Sequence, residues 1–569
     1  MAALCGGCRG AATMAKGSAR ARVAALVRRL ARGSSAAEQA EAAHALARLC
    51  SDKGQNREYV RGCGGVAALV GLLAPGRTDA VHIQAATALQ NLCIHNQQNQ
   101  NSIRECGGDA ALVGLLAPCN SVTVQKHAVG ALCSLFFDNT HVKDSVRECG
   151  GDAALVGLLA PCRSAIVQMQ AANALCNLCF ENAQSMDSVR ECGGVAALVG
   201  LLAPGGPASM QEEAAAPLCI LCEKNTQNQD SVRECGGVAA LVALLAPGCS
   251  AGLQGRAAGA LLNVCCYNVR NQDSVRECGG VEALVGLLAP GVAPAVRTGA
   301  AGALGNLCLT NARCQDSVQA CGGIAVLVAL LAPGGSAALH GQAARALANF
   351  CIGPNTQNQD SVRECGGAAA LVALLAAGCS AGVQRHVVNA LANLCSKSIQ
   401  NRDRVRECGG VAALVGLLVP GGSAAVLEWT ARALCNLCFG NSQNKDSVRE
   451  CGGIAALVGL LAPGRSAAMH KQAAGTLHNL CVDNALNRAS VRECGGIAAL
   501  VGLLAPGGSA GVQDRAAAVL VELTSESGQS REAVEACGGV AALERVLACA
   551  SSAAAHEGAA AALRNLGHA

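Results

Sequence analysis

Aromatic side chains are almost missing, with five Phe, two Tyr and one Trp among 569 residues. A core without large rings has to be built from Ala, Leu, Val and Cys, small side chains that let helices approach closely. The same scarcity removes the stacking platforms on which single-strand nucleic-acid binders depend. Net charge is scarce too, +4 over the whole chain, which is too weak for a general nucleic-acid surface, and no specific nucleic-acid partner is expected. Long apolar runs are absent. The stretch from Val195 to Leu202 stops at Pro204-Gly205 after about ten residues, half of the roughly 20 that a membrane-spanning helix needs. No His-Glu-x-x-His, phosphate-binding Gly-x-x-x-x-Gly-Lys-Ser/Thr or nucleophile-elbow pattern occurs, and the eleven histidines scatter over different positions. The chain therefore reads as no enzyme, with no catalytic residue, no cofactor and no metal site.

What is present is a period. Cys-Gly-Gly begins at Cys63, Cys106, Cys149, Cys192, Cys235, Cys278, Cys321, Cys365, Cys408, Cys451, Cys494 and Cys537, every 43 residues except for 44 between Cys321 and Cys365. The extra residue falls near Gly353-Pro354, between helical patterns. Val23-Ala24-Ala25-Leu26-Val27 marks one earlier, degenerate copy. Length here means repeat number, not domain number. The reading is a disordered basic tail at 1–17, a capping repeat at 18–62 and twelve repeats over 63–569.

Residues 144–182 show one unit. Ser145 with Glu148 three residues on has the form of a capping box, which predicts a short first helix starting there. Gly150-Gly151 stops it, since glycine accepts the left-handed conformation of a helix end. Leu155, Val156, Leu158 and Leu159 predict a long second helix ended by Pro161. Val167, Ala171, Ala174, Leu175 and Leu178 predict a third from about Ala165 to Cys179. The Gln- and Asn-rich stretch beyond reads as a connector.

Three helices in about 42 residues, the Gly-Gly turn, the "ALVGLLAP" segment and the "ALCNLC" end resemble the armadillo repeat over nearly the whole chain. The two-helix HEAT repeat would not need a separately capped helix before Gly-Gly. The resemblance implies an all-α, right-handed superhelical solenoid of about thirteen three-helix repeats whose third helices line a concave groove. It also implies a protein-interaction scaffold, holding extended peptide segments through an asparagine near the end of each third helix.

That asparagine is matched by Asn91, Asn177, Asn263, Asn306, Asn349, Asn393, Asn436, Asn479 and Asn565, with breaks at Arg48, Ser134, Ile220 and Glu522. A carboxamide offers donors and an acceptor to an extended backbone; it serves equally well to tie the third helix to its neighbour. Between the repeats beginning at Cys321 and Cys451 the ladder is unbroken, and Arg345, Arg385, His386, Arg432, Lys471 and Trp429 share those helices. An extended, acidic segment of another protein is the expected occupant there, bound by a monomeric chain. Importin-alpha carries groove tryptophans four residues before the asparagine. This chain's only Trp stands seven before, so a cargo adaptor of the nuclear-import kind is the less favoured alternative.

Cysteine is abundant, 35 residues, and the repeat positions suggest reduced core thiols rather than a disulfide framework. The pairs Cys176/Cys179, Cys219/Cys222 and Cys435/Cys438 lack the further ligands that a zinc site requires. Residues 1–33 hold Arg9, Lys16, Arg20, Arg22, Arg28, Arg29 and Arg32 without one acid. This reads as a basic tail and cap, with an organelle transit peptide as the alternative to a cytoplasmic or nuclear location. Cys5 and Cys8 are candidates for acylation or metal binding, and Ala2 excludes N-myristoylation.

Overall fold

The computed structural model describes residues 19–31, 33–52, 54–353, 356–549 and 552–568. The expected tail at 1–17, with Cys5 and Cys8, lies outside the described residues, as does Pro354 of the one-residue insertion. Every regular element among the described residues is a helix.

The repeat has three helices, though their boundaries differ from those the sequence suggested. In the copy discussed above they are Thr140–Glu148, Gly151–Gly157 and Ala165–Cys179. The first begins before Ser145, which therefore caps nothing. Its cap is Asn139, whose side chain accepts the Val142 N–H, and Asn182 does the same for Ser185 in the next copy. Ser145 and Glu148 lie in the helix's last turns. The glutamate of this motif instead reaches the neighbouring arginine, as in Arg190–Glu191 at 3.2 Å and Arg276–Glu277 at 2.9 Å. The supposed connector is thus the start of a helix.

The second helix is the shortest of the three. It stops at Gly157, before Pro161, because the chain tightens: Leu158 N–H bonds Leu155 C=O and Leu159 N–H bonds Val156 C=O, three residues back instead of four. The two glycines of the turn have different reasons to be there. Gly150 takes φ 77°, which disfavours any side chain. Gly151 is buried, and a Cβ there would lie 2.3 Å from Val146 Cγ1 and 2.8 Å from its carbonyl oxygen. Closeness of the first and second helices, not backbone freedom, requires this second glycine.

The described chain forms two compact units, residues 1–280 and 281–569. In the first, Ala36–Asp52, Asp79–Cys93, Val122–Phe136, Ala165–Cys179, Ala208–Leu221 and Ala251–Val264 pack serially, each third helix against the next. In the second, Pro294–Leu307, Ala337–Phe350, Ala381–Leu394, Ala424–Cys438, Ala467–Cys481, Ala510–Thr524 and Ala553–Leu566 do likewise. Each unit is an all-α stack whose repeats bury their apolar faces on one another.

The thiols divide by position. Cys50, Cys93, Cys179, Cys222, Cys265, Cys308, Cys351, Cys395, Cys438 and Cys481 are buried, and burial pushes Cys50 and Cys395 up to about 12. The Cys-Gly-Gly cysteines are not core residues, contrary to the expectation. Cys106, Cys149, Cys192, Cys235, Cys278, Cys365, Cys451, Cys494 and Cys537 are exposed, and Cys63, Cys321 and Cys408 half-buried. They follow the last residue of the first helix, where the chain turns at the surface, so repetition alone was a poor guide to burial.

Candidate third-helix binding face

The third helices present the predicted residues, and the stack already uses much of their hydrogen-bonding capacity. The asparagine Nδ2 donates to a carbonyl of the preceding third helix. Asn91 reaches Ala47 at 2.9 Å, Asn263 Cys219 at 2.8 Å, Asn349 Gly305 at 2.8 Å, Asn393 Ala348 at 3.0 Å, Asn436 Ala392 at 2.8 Å and Asn479 Cys435 at 3.0 Å. Asn565 repeats this with Val521 at 3.3 Å. Asn177 lies within 3.5 Å of Asn173 Oδ1 on its own helix, and Asn306 Oδ1 accepts from Arg345. The carboxamides are therefore fixed in orientation. The Oδ1 atoms of Asn349, Asn393, Asn436 and Asn479 accept no bond from another described residue. Asn436 and Asn479 are half-buried, whereas Asn349 and Asn393 keep only 8% exposure each.

The cations differ in the same way. Arg345 is built into the stack: it donates to Gln342 Oε1 at 3.0 Å, Asn306 Oδ1 at 2.5 Å and Gly302 C=O at 2.9 Å. Arg385 is exposed and approaches His386 Nε2 at 3.2 Å. His386 is held down to about 4 by burial first, then by Arg385 and Arg345, so near neutral pH it is an uncharged imidazole. Arg432 lies over the Trp429 ring, 4.9 Å from its centre, an arrangement that presents indole and guanidinium together. Trp429 is half-buried; Arg432 and Lys471 are exposed. Arg385, Arg432 and Lys471 form no ion pair with another described residue, and the four helices over 337–481 carry a single acid, Glu428. By contrast several first-helix arginines are neutralised locally, as in Arg233–Asp230 at 2.5 Å and Arg449–Asp446 at 2.7 Å.

A second polar ladder escaped the sequence reading. Asn271 in the first helix Val269–Glu277 is fully buried and donates to Val264 C=O and Gln229 C=O, both at 2.9 Å. Gln229, Lys143, Arg402 and Lys445 reach forward one repeat to third-helix carbonyls or those just beyond, for example Lys445 to Val482 C=O at 2.6 Å. The recurrent Asn-Gln and Asn-Lys pairs in the apparent connector were the available signal. Among the described residues no group of three or more His, Cys, Asp or Glu could hold a metal ion, and no helix is long and apolar enough to cross a membrane.

Serially packed three-helix repeats, many of them tied to the one before through side-chain amides, define a helical repeat solenoid. The model of the Armadillo/beta-catenin-like repeat matches residues 55–94, 268–309, 398–439 and 441–482. An engineered protein solved by the Northeast Structural Genomics Consortium is 32% identical, with a TM-score of 0.65 over 73% of this chain and 98% of its own. A second engineered protein from the same consortium is 31% identical, with a TM-score of 0.40 over 42% of this chain and 96% of its own. No curated protein matches the chain. The chain belongs to the armadillo-repeat family, whose members are commonly protein-interaction scaffolds and generally not enzymes.

Proposed function

We propose that the protein is an interaction scaffold and that its third-helix face over residues 337–481 holds an extended, acidic segment of a partner protein. The observation that carries this reading is the set of exposed cations, Arg385, Arg432 and Lys471, left without carboxylates on third helices that carry the single acid Glu428, while the arginines of the neighbouring first helices, Arg363, Arg406 and Arg449, are paired with Asp360, Asp403 and Asp446. A partner carboxylate would supply the missing counter-charge, and a bidentate contact to arginine adds orientation. Trp429 supplies an aromatic anchor of the kind that dominates interface energies. The free Oδ1 of Asn436 and of Asn479 accepts a main-chain N–H of an extended strand while Nδ2 stays bonded to the stack. Arg345, though predicted as a contact, serves mainly to orient Asn306 and the helix before it.

The test is fluorescence anisotropy of the full chain with a labelled 20-residue peptide rich in Asp and Glu. Substituting Arg385→Glu, Arg432→Glu and Lys471→Glu together should weaken binding by about 30- to 100-fold and flatten its salt dependence. Unchanged affinity in a variant of unchanged helicity rejects this face as the site.

A further inference from the structure

A chain so poor in aromatics places most of its phenylalanines in solvent. Phe136 and Phe350 are buried, while Phe137, Phe180 and Phe439 are 51%, 46% and 60% exposed. All three occupy one repeat position, the residue just past the third helix, on the edge where that helix hands over to the next first helix. In the first unit Phe137 and Phe180 stand on consecutive repeats. The residue after each, Asp138 at φ 51° and Glu181 at φ 54°, is left-handed although it is not glycine. The conformation belongs to the repeat, since His95, Lys224, Tyr267, Thr310 and Asp483 adopt it at the same position. Gly440, after Phe439, shows that glycine serves there.

We propose that this edge of the first unit, centred on Phe137 and Phe180, is a docking site for a basic amphipathic helix of a partner protein. It is a site separate from the third-helix face of the second unit. Three features select this occupant. The edge is apolar and acidic together: Asp138 and Glu181 hold one repeat position and are exposed, and in the next copy exposed Glu223 takes the place of the phenylalanine, with Lys224 at the position of the acids. Lys143 lies buried beneath, its Nζ donating to Phe180 C=O at 2.6 Å and 5.8 Å from the Phe180 ring centre, and the exposed basic residues next to these positions in the chain are Lys224 and His141. Three exposed carboxylates thus stand against one exposed lysine and one histidine.

The second feature is spacing. Neighbouring helices lie about 8–10 Å apart, and positions i and i+7 of an α-helix are separated by about 10.5 Å, so one face of a helix meets both rings. The third is the state of the backbone. Phe137 C=O already accepts from Gln100 Nε2 at 3.1 Å, and Phe180 C=O accepts from Lys143. Both carbonyls at the rings are thus already engaged by the stack, which disfavours strand-like pairing there, whereas a helix satisfies its own backbone. Between His95 and Phe137, whose rings meet edge to face at 5.4 Å, a hollow of about 260 Å³ lined also by Gln97 and Asp138 leaves room for one further side chain.

The test uses the full chain and three labelled synthetic 18-residue peptides: a helix with Leu at i and i+7 positions and Lys elsewhere, the same design with Glu for Lys, and the Lys peptide with two central prolines. The Lys helix should bind. Binding should fall at least about tenfold in a Phe137→Ser/Phe180→Ser variant, and several-fold in Asp138→Asn/Glu181→Asn, which keeps a residue tolerant of the left-handed conformation. Phe439→Ser in the second unit should leave it unchanged. Circular dichroism of each variant should match the parent, since the rings lie outside the core. Failure of the Lys helix to bind, equal binding of the Glu or proline peptide, or indifference to the Phe137/Phe180 change would each overturn the proposal.

Discussion

The two units share one stacking chemistry and differ in what they leave over. In both, a third-helix asparagine bonds the helix before it, as Asn91 and Asn263 do in the first and Asn393 and Asn436 in the second. The first unit interrupts that ladder at Ser134 and Ile220 and sets Glu41, Glu212 and Glu213 on its third helices. The second runs unbroken from Asn306 to Asn479, and its four third helices over 337–481 carry Arg385, Arg432 and Lys471 with the single acid Glu428. Fold maintenance accounts for what the units have in common. The uncompensated charge of the second requires another explanation, and a bound acidic segment provides one.

The largest expected effect separates the units by charge. The triple reversal of Arg385, Arg432 and Lys471 should remove about 2–3 kcal/mol of acidic-peptide binding. Reversing Arg256 on a third helix of the first unit should leave that binding unaltered. Loss of binding on the Arg256→Glu change would erase the distinction.

A second difference concerns stability. The position after Gly-Gly is apolar in the second unit (Ile324, Ala368, Val411, Ile454, Ile497) but holds Asp109 and Asp152 in the first. Asp109 accepts from Ser145 Oγ and from the Ala110 N–H. Asp152 is 1% exposed and neither oxygen has a partner within hydrogen-bonding geometry. Burial raises its carboxyl above the usual range, with Ser188 and Arg147 opposing only in part. An acid whose folded value is raised takes up a proton on folding. Its contribution is most favourable at low pH and is lost as pH rises from the ordinary carboxylate range through the raised value. Asp152→Val, the residue found at this position in neighbouring copies, should therefore stabilise the chain by about 1–3 kcal/mol at neutral pH. The gain should shrink on acidification, as urea unfolding at pH 5 and pH 8 will show. A gain independent of pH would contradict the assignment.

The smallest effects sharpen the asparagine comparison. Asn263→Ala and Asn436→Ala should each cost about 1 kcal/mol of stability through the lost stitch. Only Asn436→Ala should also weaken the acidic peptide. Equal effects on binding from both would make the ladder purely structural.

Much of the architecture was legible because the period repeats its evidence. The Gly-Gly turn, the span of the third helix and the burial of the Cys179 series all follow from local pattern. What sequence reading missed were the decisions made between repeats. Ser145-Val-Arg-Glu148 imitates a capping box, yet Asn139 caps the helix because its carboxamide also reaches Gln100 and Asn101 of the preceding copy. Gly151 looked like turn chemistry and is a steric requirement of Val146. Arg345 looked like a free cation and is bonded on three sides. For the site, sequence located the helices and the unbroken ladder, but could not separate spent donors from available ones.

The most direct test of the central claim is amide hydrogen exchange of the full chain with and without the acidic peptide. The account predicts added protection concentrated in Ala381–Leu394, Ala424–Cys438 and Ala467–Cys481, with none in the third helices of residues 36–264. Protection confined to the first unit, or no change in the second at saturating peptide, would contradict it.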